Sequence, residues 1–358
     1  MSTRREVRIA VIPGDGIGAE VAPEGLRVLD RVAAGSGGGL AFAYEFFPWG
    51  CQYWLETGRM MDADGLDRLR GFDAIYFGAV GWPGVPDHVS LWGLRLAICQ
   101  GFDQYACIRP VRLLPGVPSP LRNATPETVD WVVVRENSEG EYAGVGGRNL
   151  AGRGAGNEVA IQTALFTERG CERIIRYAFD LAMTRPRRKV TSVTKSNAQQ
   201  YGMTLWDETF ARVARDYPEV ATEQWLVDAM AARFVLRPET LDVVVASNLF
   251  GDILSDLGSA IGGSLGIAAS ANLDPERRNP SMFEPVHGSA PDIAGQGIAN
   301  PVAAIWTVAL MLDHLGLGDE ATRVMQAIEE TTGAGILTPD LGGTASTAEV
   351  GAAIAARL

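Results

Sequence analysis

The segment NLFGDILSDLGSAIGG carries two aspartates, Asp252 and Asp256, four positions apart. On a helix they project from one face, one turn apart, where like charges repel by roughly 0.2–0.5 kcal/mol. A hard cation between them reverses that sign, because Mg²⁺ and Mn²⁺ take carboxylate and water oxygens. Asp228, in QWLVDAMAARF, is a candidate third oxygen ligand. Each acid also has a plainer reading: Asp252 as a charge favoured near a helix N-terminus, Asp256 as a solvated group, Asp228 as a helix cap. Arg109 in IRPVR and Arg135 in VVVREN end apolar segments. There a guanidinium can grip a carboxylate through paired hydrogen bonds or serve in a structural salt bridge. Tyr142 in EGEYAG and Lys195 in VTKSN are groups that transfer protons once their pKa is tuned. His287, in FEPVHGSAPDIAG, lies in a loop broken by Pro and Gly, where an imidazole meets a ligand such as a nucleotide or bonds its own backbone.

A glycine motif competes with these residues. Gly14-x-Gly16-x-x-Ala19 follows an apolar strand and opens a helix, as a dinucleotide fingerprint does. Pro13 precedes the turn, and no acid follows a second strand at the usual distance, so a plain helix-starting turn explains it equally well. A metal-independent Rossmann dehydrogenase would rest on this motif alone. No GxSxG is present, and none of the three histidines pairs with a neighbour at metal-ligand spacing.

The elements that hold these residues read as an α/β protein. Val7–Ile12, Phe42–Phe47 and Asp73–Val80 have strand character, with helical patterns over 19–34 and 62–70 between them. Such alternation predicts parallel strand–helix–strand units. Leu241–Ala246 is almost wholly apolar, the mark of a strand covered on both faces, and it leads into the Asp252 helix. Metal-binding acids there would lie beyond a strand's C-terminal end, where α/β sheets place ligands. The glycine-dense stretch 144–156, followed by a strand over 157–166, predicts an irregular arm or hairpin. With 358 residues, two domains are expected. A net charge of −12 disfavours nucleic acid and anionic membrane as partners. Four cysteines without a CxxC pair, no leader-like start and no membrane-length apolar run predict a soluble cytoplasmic protein.

Taken together, IAVIPGDGIG, IRPVR, RENSEGEY, VTKSN, LVDAMA, NLFGDILSD and EPVHGSAPDIAGQGIANP resemble the metal-dependent β-hydroxyacid oxidative decarboxylases, the isocitrate/isopropylmalate dehydrogenase family. The branch most similar is that of tartrate/D-malate dehydrogenase. The resemblance implies a two-domain α/β fold with a central parallel or mixed sheet that is not a Rossmann fold. A large NAD-binding domain would comprise 1–108 plus 262–358, and a small domain with the dimer interface and arm would comprise 109–261. It implies NAD and Mg²⁺ or Mn²⁺ as cofactors, and oxidation, usually with decarboxylation, of a malate-type 2-hydroxy acid, D-malate or tartrate being favoured.

By the same resemblance Tyr142 and Lys195 are the proton-transfer pair, and Asp228, Asp252 and Asp256 the metal ligands. Lys195 and Asp228 would reach the partner subunit's site, making a homodimer obligatory. NAD would rest on the loop carrying His287, Gly288, Ser289, Ala290, Asp292 and Asn300, and the Asp292 charge would repel a 2′-phosphate and favour NAD over NADP. The family grips its substrate with three arginines. Arg109 and Arg135 match two, and the third falls on Cys99. Arg95, one turn before Cys99, stands as a substitute ligand for the lost carboxylate grip or for an extra anionic group. A malate with another C3 substituent, such as 3-isopropylmalate or one bearing an anionic group, is therefore the alternative substrate. A non-catalytic regulatory homologue is the alternative of another kind, against which the retained Tyr142, Lys195 and three aspartates speak.

Overall fold

A computed structural model describes residues 4–358. Twelve strands form: β1 (Arg5–Gly14), β2 (Leu40–Phe46), β3 (Ala74–Ala79), β4 (Ala106–Arg112), β5 (Asp130–Glu136), β6 (Gly140–Asn149), β7 (Val159–Leu165), β8 (Lys189–Thr194), β9 (Ala221–Leu226), β10 (Val243–Ala246), β11 (Ala269–Leu273) and β12 (Ser281–Pro285). Ten of them make one sheet in the order β2-β1-β3-β12-β11-β4-β5-β10-β8-β9. β2, β1, β3 and β12 run parallel to one another, as do β5, β10, β8 and β9. Antiparallel pairs β12–β11, β11–β4 and β4–β5 join the two parallel runs, so the sheet is mixed. A domain division at 108/109 would pass through β4, and the sheet continues across it.

The apolar pattern places the strands. β10 is buried at every position, which accords with a strand covered by helices on both faces. The helix Asn248–Ile261 follows it directly and buries Gly251, Leu254, Ser255, Gly258 and Ser259 along one stripe. Two glycines on that stripe allow close contact with the sheet. A Cβ on Gly251 would lie 2.7 Å from Arg135 Cβ, and one on Gly258 would lie 2.6 Å from a Val111 methyl. Larger residues there would lift Asp252 away from the two arginines of β4 and β5.

The dinucleotide reading of the Gly14–Ala19 turn fails on the packing around it. Ile17 N donates to Ser289 O at 2.9 Å, and a Cβ on Gly16 would lie 2.0 Å from the same carbonyl. The 287–290 loop therefore covers the turn where a pyrophosphate would have to approach. The glycine serves loop-on-loop packing, and Asp15 accepts from Cys51 N and Gly81 N. The expected arm is present as the β6–β7 hairpin, which leaves Val145, Val159, Ile161 and Leu165 exposed. The helix expected over 62–70 is shorter, Gly65–Leu69.

Candidate active site

The sheet brings one set of predicted residues together across long stretches of chain. Arg95, Arg109, Arg135, Tyr142, Asp252 and Gly288 line a cavity of about 180 Å³ with Glu284, Leu91, Phe77 and Val80. Arg109 projects from β4 and Arg135 from the end of β5, antiparallel neighbours. Both guanidiniums converge on Asp252 Oδ1, Arg109 Nη1 at 3.1 Å and Arg135 Nη1 in a shorter contact. Ser255 Oγ accepts from Arg109 Nη1 at 2.7 Å, and Asn248 Oδ1 accepts from Arg135 Nε and Nη2 at 3.0 and 2.7 Å. The Asp256 carboxylate lies 3.7 Å from Arg109 and is half exposed.

The electrostatics of this group follow from its burial. Three arginines face Asp252 and Glu284 in the cavity lining, and Asp256 lies 3.7 Å from Arg109 at its edge, so the fixed charges balance. Two guanidiniums that share one Asp252 oxygen keep N–H donors for a substrate carboxylate. Burial alone would raise the Asp252 pKa, but the Arg135 and Arg109 charges outweigh it and hold the group below the usual carboxylate range. Asp256 is raised by burial, which the more distant Arg109 only partly offsets. Burial and the Asp252 charge raise the Tyr142 pKa, so its phenol keeps its proton and donates to Asp252 Oδ2 at 2.9 Å. The Arg135 guanidinium packs on the Tyr142 ring, 5.2 Å from the centroid.

Lys195 and Asp228 are not brought to this cavity. Lys195 Nζ donates to Asp228 Oδ1 at 2.5 Å at the ends of β8 and β9, and neither residue lines the cavity. That bond holds the Asp228 carboxyl below its usual range. Among the described residues no cluster of three or more acids, cysteines or histidines suits a metal. Within one chain, then, Asp252 and Asp256 are a pair of hard oxygen donors. They fit Mg²⁺ or Mn²⁺ in the way such ions are commonly held, by one or two carboxylates with substrate and water oxygens.

The 287–300 loop leaves one buried polar atom unpaired. His287 Nδ1 donates to Gly288 O at 2.7 Å, which leaves Nε2 as an acceptor, buried and without a partner. Burial lowers the pKa of this imidazole and keeps it neutral. Asp292 is exposed, whereas Ala290 is half-buried with φ +37° and packs near Ile17 and Val21. The Asn300 side chain is engaged internally, with Asp340 at 3.1 Å and Val302 N at 3.0 Å.

Cys99 and Arg95 part company. Leu91–Arg95 forms one wide turn of i→i+5 type, and the α-helix resumes at Leu96. Leu91 and Arg95 face the cavity, while Cys99 packs into an apolar cluster with Phe47, Trp49, Leu94, Ile98 and Phe102. Burial pushes the Cys99 thiol up to about 12, so it is neutral. Arg95 is not a free cation: Glu284 Oε1 accepts from its Nε at 2.7 Å. Sequence reasoning missed Glu284 and its neighbour Asn272. A single acid in the otherwise apolar stretch SMFEP was the available signal for the first.

Comparison with known proteins agrees with this architecture. The isocitrate/isopropylmalate dehydrogenase family model matches residues 8–354. The chain belongs to that family. It is 59% identical over 350 residues to a probable tartrate dehydrogenase/decarboxylase of Agrobacterium vitis, covering 98% of this chain and 97% of that one. It is 55% identical over 357 residues to the D-malate dehydrogenase (decarboxylating) of Escherichia coli, with 98% of each covered. Isocitrate dehydrogenase from Methylococcus capsulatus superimposes with a TM-score of 0.87 at 35% identity, covering 98% of this chain and 99% of that one. As a family member, the chain has the mixed-sheet α/β fold and lacks the Rossmann fingerprint site.

Proposed function

We propose that the protein is an NAD-dependent, Mg²⁺- or Mn²⁺-requiring dehydrogenase that oxidises and decarboxylates a malate-type 2-hydroxy acid, D-malate or tartrate. The observation that carries this reading is the buried convergence of Arg109, Arg135 and Tyr142 on Asp252 in a cavity lined by three arginines. Relatives named as tartrate and D-malate decarboxylating dehydrogenases support the reaction type.

Arg109 and Arg135 bind and orient the substrate carboxylates, trading part of their hold on Asp252 for them. Asp252 and Asp256, with Asp228 of the partner subunit, are the residues that would hold the metal. When bound, it supplies Lewis-acid stabilisation of negative charge on the substrate oxygen, and NAD supplies the hydride acceptor. Lys195 of the partner subunit takes the hydroxyl proton. Tyr142, kept protonated by burial and by Asp252, returns a proton to carbon after CO₂ leaves. The NAD adenosine half lies along the 287–300 loop, with His287 Nε2 and Asp292 as acceptors.

A homodimer follows from these roles. Exposed apolar residues on the arm (Val145, Ile161) and on the neighbouring helices (Leu236, Ile253) support it. Among the described residues no helix is long and apolar enough to cross a membrane, and four unpaired, buried cysteines support a cytoplasmic location. NAD reduction is expected with at least one of D-malate, tartrate, 3-isopropylmalate and isocitrate, lost on chelation with EDTA and restored by Mn²⁺ or Mg²⁺. Inactivity on all four, or full activity after chelation, refutes the proposal.

A further inference from the structure

Glu20 directs its carboxylate away from its own helix. It stands in the first turn of the helix Gly18–Gly35, where a negative charge is favoured, yet that helix start has no side-chain cap. Instead Glu20 Oε2 accepts from Gly297 N at 2.9 Å, and Oε1 accepts from Gly295 N in a shorter contact. Both glycines have left-handed backbone, φ +81° and +68°, which lets two amides two residues apart meet one carboxylate. The stretch they belong to has few other ties. Residues 292–296 form an exposed or half-buried turn. Ile293 N and Gln296 N donate within it, to Ala290 O and Ile293 O, both at 3.2 Å, and the Gln296 amide donates to Asp292 O at 2.8 Å. From outside the turn, Thr347 N donates to Gly297 O at 2.9 Å, and Ile293 and Ala294 pack beside Ile17 and Val21.

Asp292 lies three residues before Gly295, and among the described residues its exposed carboxylate has no hydrogen-bond partner. Its position is therefore set by the backbone of the turn. Hydrogen bonds from amides to a carboxylate are roughly twice as strong as neutral ones, which makes Glu20 a firm tie on that backbone. We infer that Glu20 is a positioning residue for the dinucleotide: it fixes the 292–297 turn so that Asp292 presents its carboxylate to the adenosine ribose hydroxyls. A turn fixed in advance loses less conformational freedom when the cofactor binds, so the tie raises affinity without touching NAD. The inference rests on the NAD placement proposed above and adds the residue that holds the adenosine loop. It also gives the Gly14–Ala19 turn a cofactor role that needs no pyrophosphate in its space. The helix that this turn opens presents Ile17 N to Ser289 O and Glu20 to Gly295 and Gly297, so two bonded points on one helix turn carry the loop.

The test uses the full-length protein and Glu20→Gln, which keeps the side-chain shape but turns an NH₂ group toward one of the two amide donors. In the nucleotide-free protein, hydrogen–deuterium exchange at amides 293–297 should quicken about tenfold and stay as in wild type elsewhere. By calorimetry the Kd for ADP-ribose, the cofactor without its nicotinamide, should rise about tenfold. The KM for NAD should rise with it, while kcat and the KM for the hydroxy acid stay within about twofold. Glu20→Asp keeps the charge, and its Kd should fall between those of wild type and Glu20→Gln. Unchanged exchange at 293–297, or faster exchange with an unchanged ADP-ribose Kd, overturns the inference. Exchange that quickens throughout the protein also overturns it, because Glu20 would then support the fold at large. Wild type that oxidises no hydroxy acid but binds ADP-ribose, with the Kd raised in Glu20→Gln, overturns the dehydrogenase reading and supports this inference. Wild type that does not bind ADP-ribose overturns the NAD placement and this inference with it.

Discussion

Replacing Asp252 by asparagine keeps its shape and removes the carboxylate that two buried guanidiniums share. Arg109 and Arg135 are 9% and 3% exposed, and they lie side by side on β4 and β5. Removing one partner of a buried ion pair costs about 3–5 kcal/mol, because the remaining charge stays out of water. Two features reduce that here: Asp252 is itself 32% exposed, and Asn248 and Ser255 keep their hydrogen bonds to the guanidiniums. The expected loss is therefore roughly 2–3 kcal/mol, or a fall in Tm of roughly 2–6 °C for a chain of this size. Thermal or urea unfolding at neutral pH and low salt measures it. A dicarboxylate should reverse most of the loss, since an anion that binds only the folded state returns about 2.7 kcal/mol at a hundredfold its Kd. An Asp252→Asn variant as stable as wild type, or one that a dicarboxylate does not rescue, refutes the claim that the Asp252 charge neutralises two buried guanidiniums.

Three further outcomes are expected. Lys195→Ala should lower kcat by roughly 10²–10⁴-fold while circular dichroism and the melting curve stay as in wild type, because among the described residues its side chain bonds only to exposed Asp228; an active variant removes Lys195 as the base. Ile161→Arg, on the outer strand of the arm, should convert a dimer to monomer by sedimentation and abolish turnover; a dimeric, active variant argues against the arm as interface. His314→Gln should flatten the acid limb of stability. Burial and the Arg277 charge lower the His314 pKa to about 4, so the unfolded chain takes up this proton first, near pH 6.5. Stability from the neutral ring is complete above that pH and lost as pH falls toward 4, by up to roughly 3 kcal/mol. Denaturant titrations between pH 7 and 4 that give equal slopes for wild type and variant would contradict this.

Local pattern carried much of the architecture. The apolar run before Asp252 read as a covered strand, and the glycine-dense 144–156 stretch as an irregular arm or hairpin, and both are found. The four-residue spacing of Asp252 and Asp256 placed both on one helix flank, because helical periodicity depends on near neighbours alone. The motif Gly14–Ala19 stayed ambiguous for the complementary reason. Its residue types allow a phosphate-binding turn, and only the approach of Ser289, far along the chain, shows that the space is taken.

What the sequence by itself determined, then, was which residues bear chemistry and which local elements carry them. The side-chain partners were decided by strand order. Arg95 and Glu284 are 189 positions apart, and they meet because β12 and the Leu91–Gly101 helical segment pack together around the cavity. From spacing alone, Arg95 and Cys99 look equivalent, one turn apart on one face. The wide turn at Leu91–Arg95 and the apolar cluster behind it give one the cavity and the other the core. A buried charge is stable only where a partner waits, and where that partner sits is a property of the folded sheet.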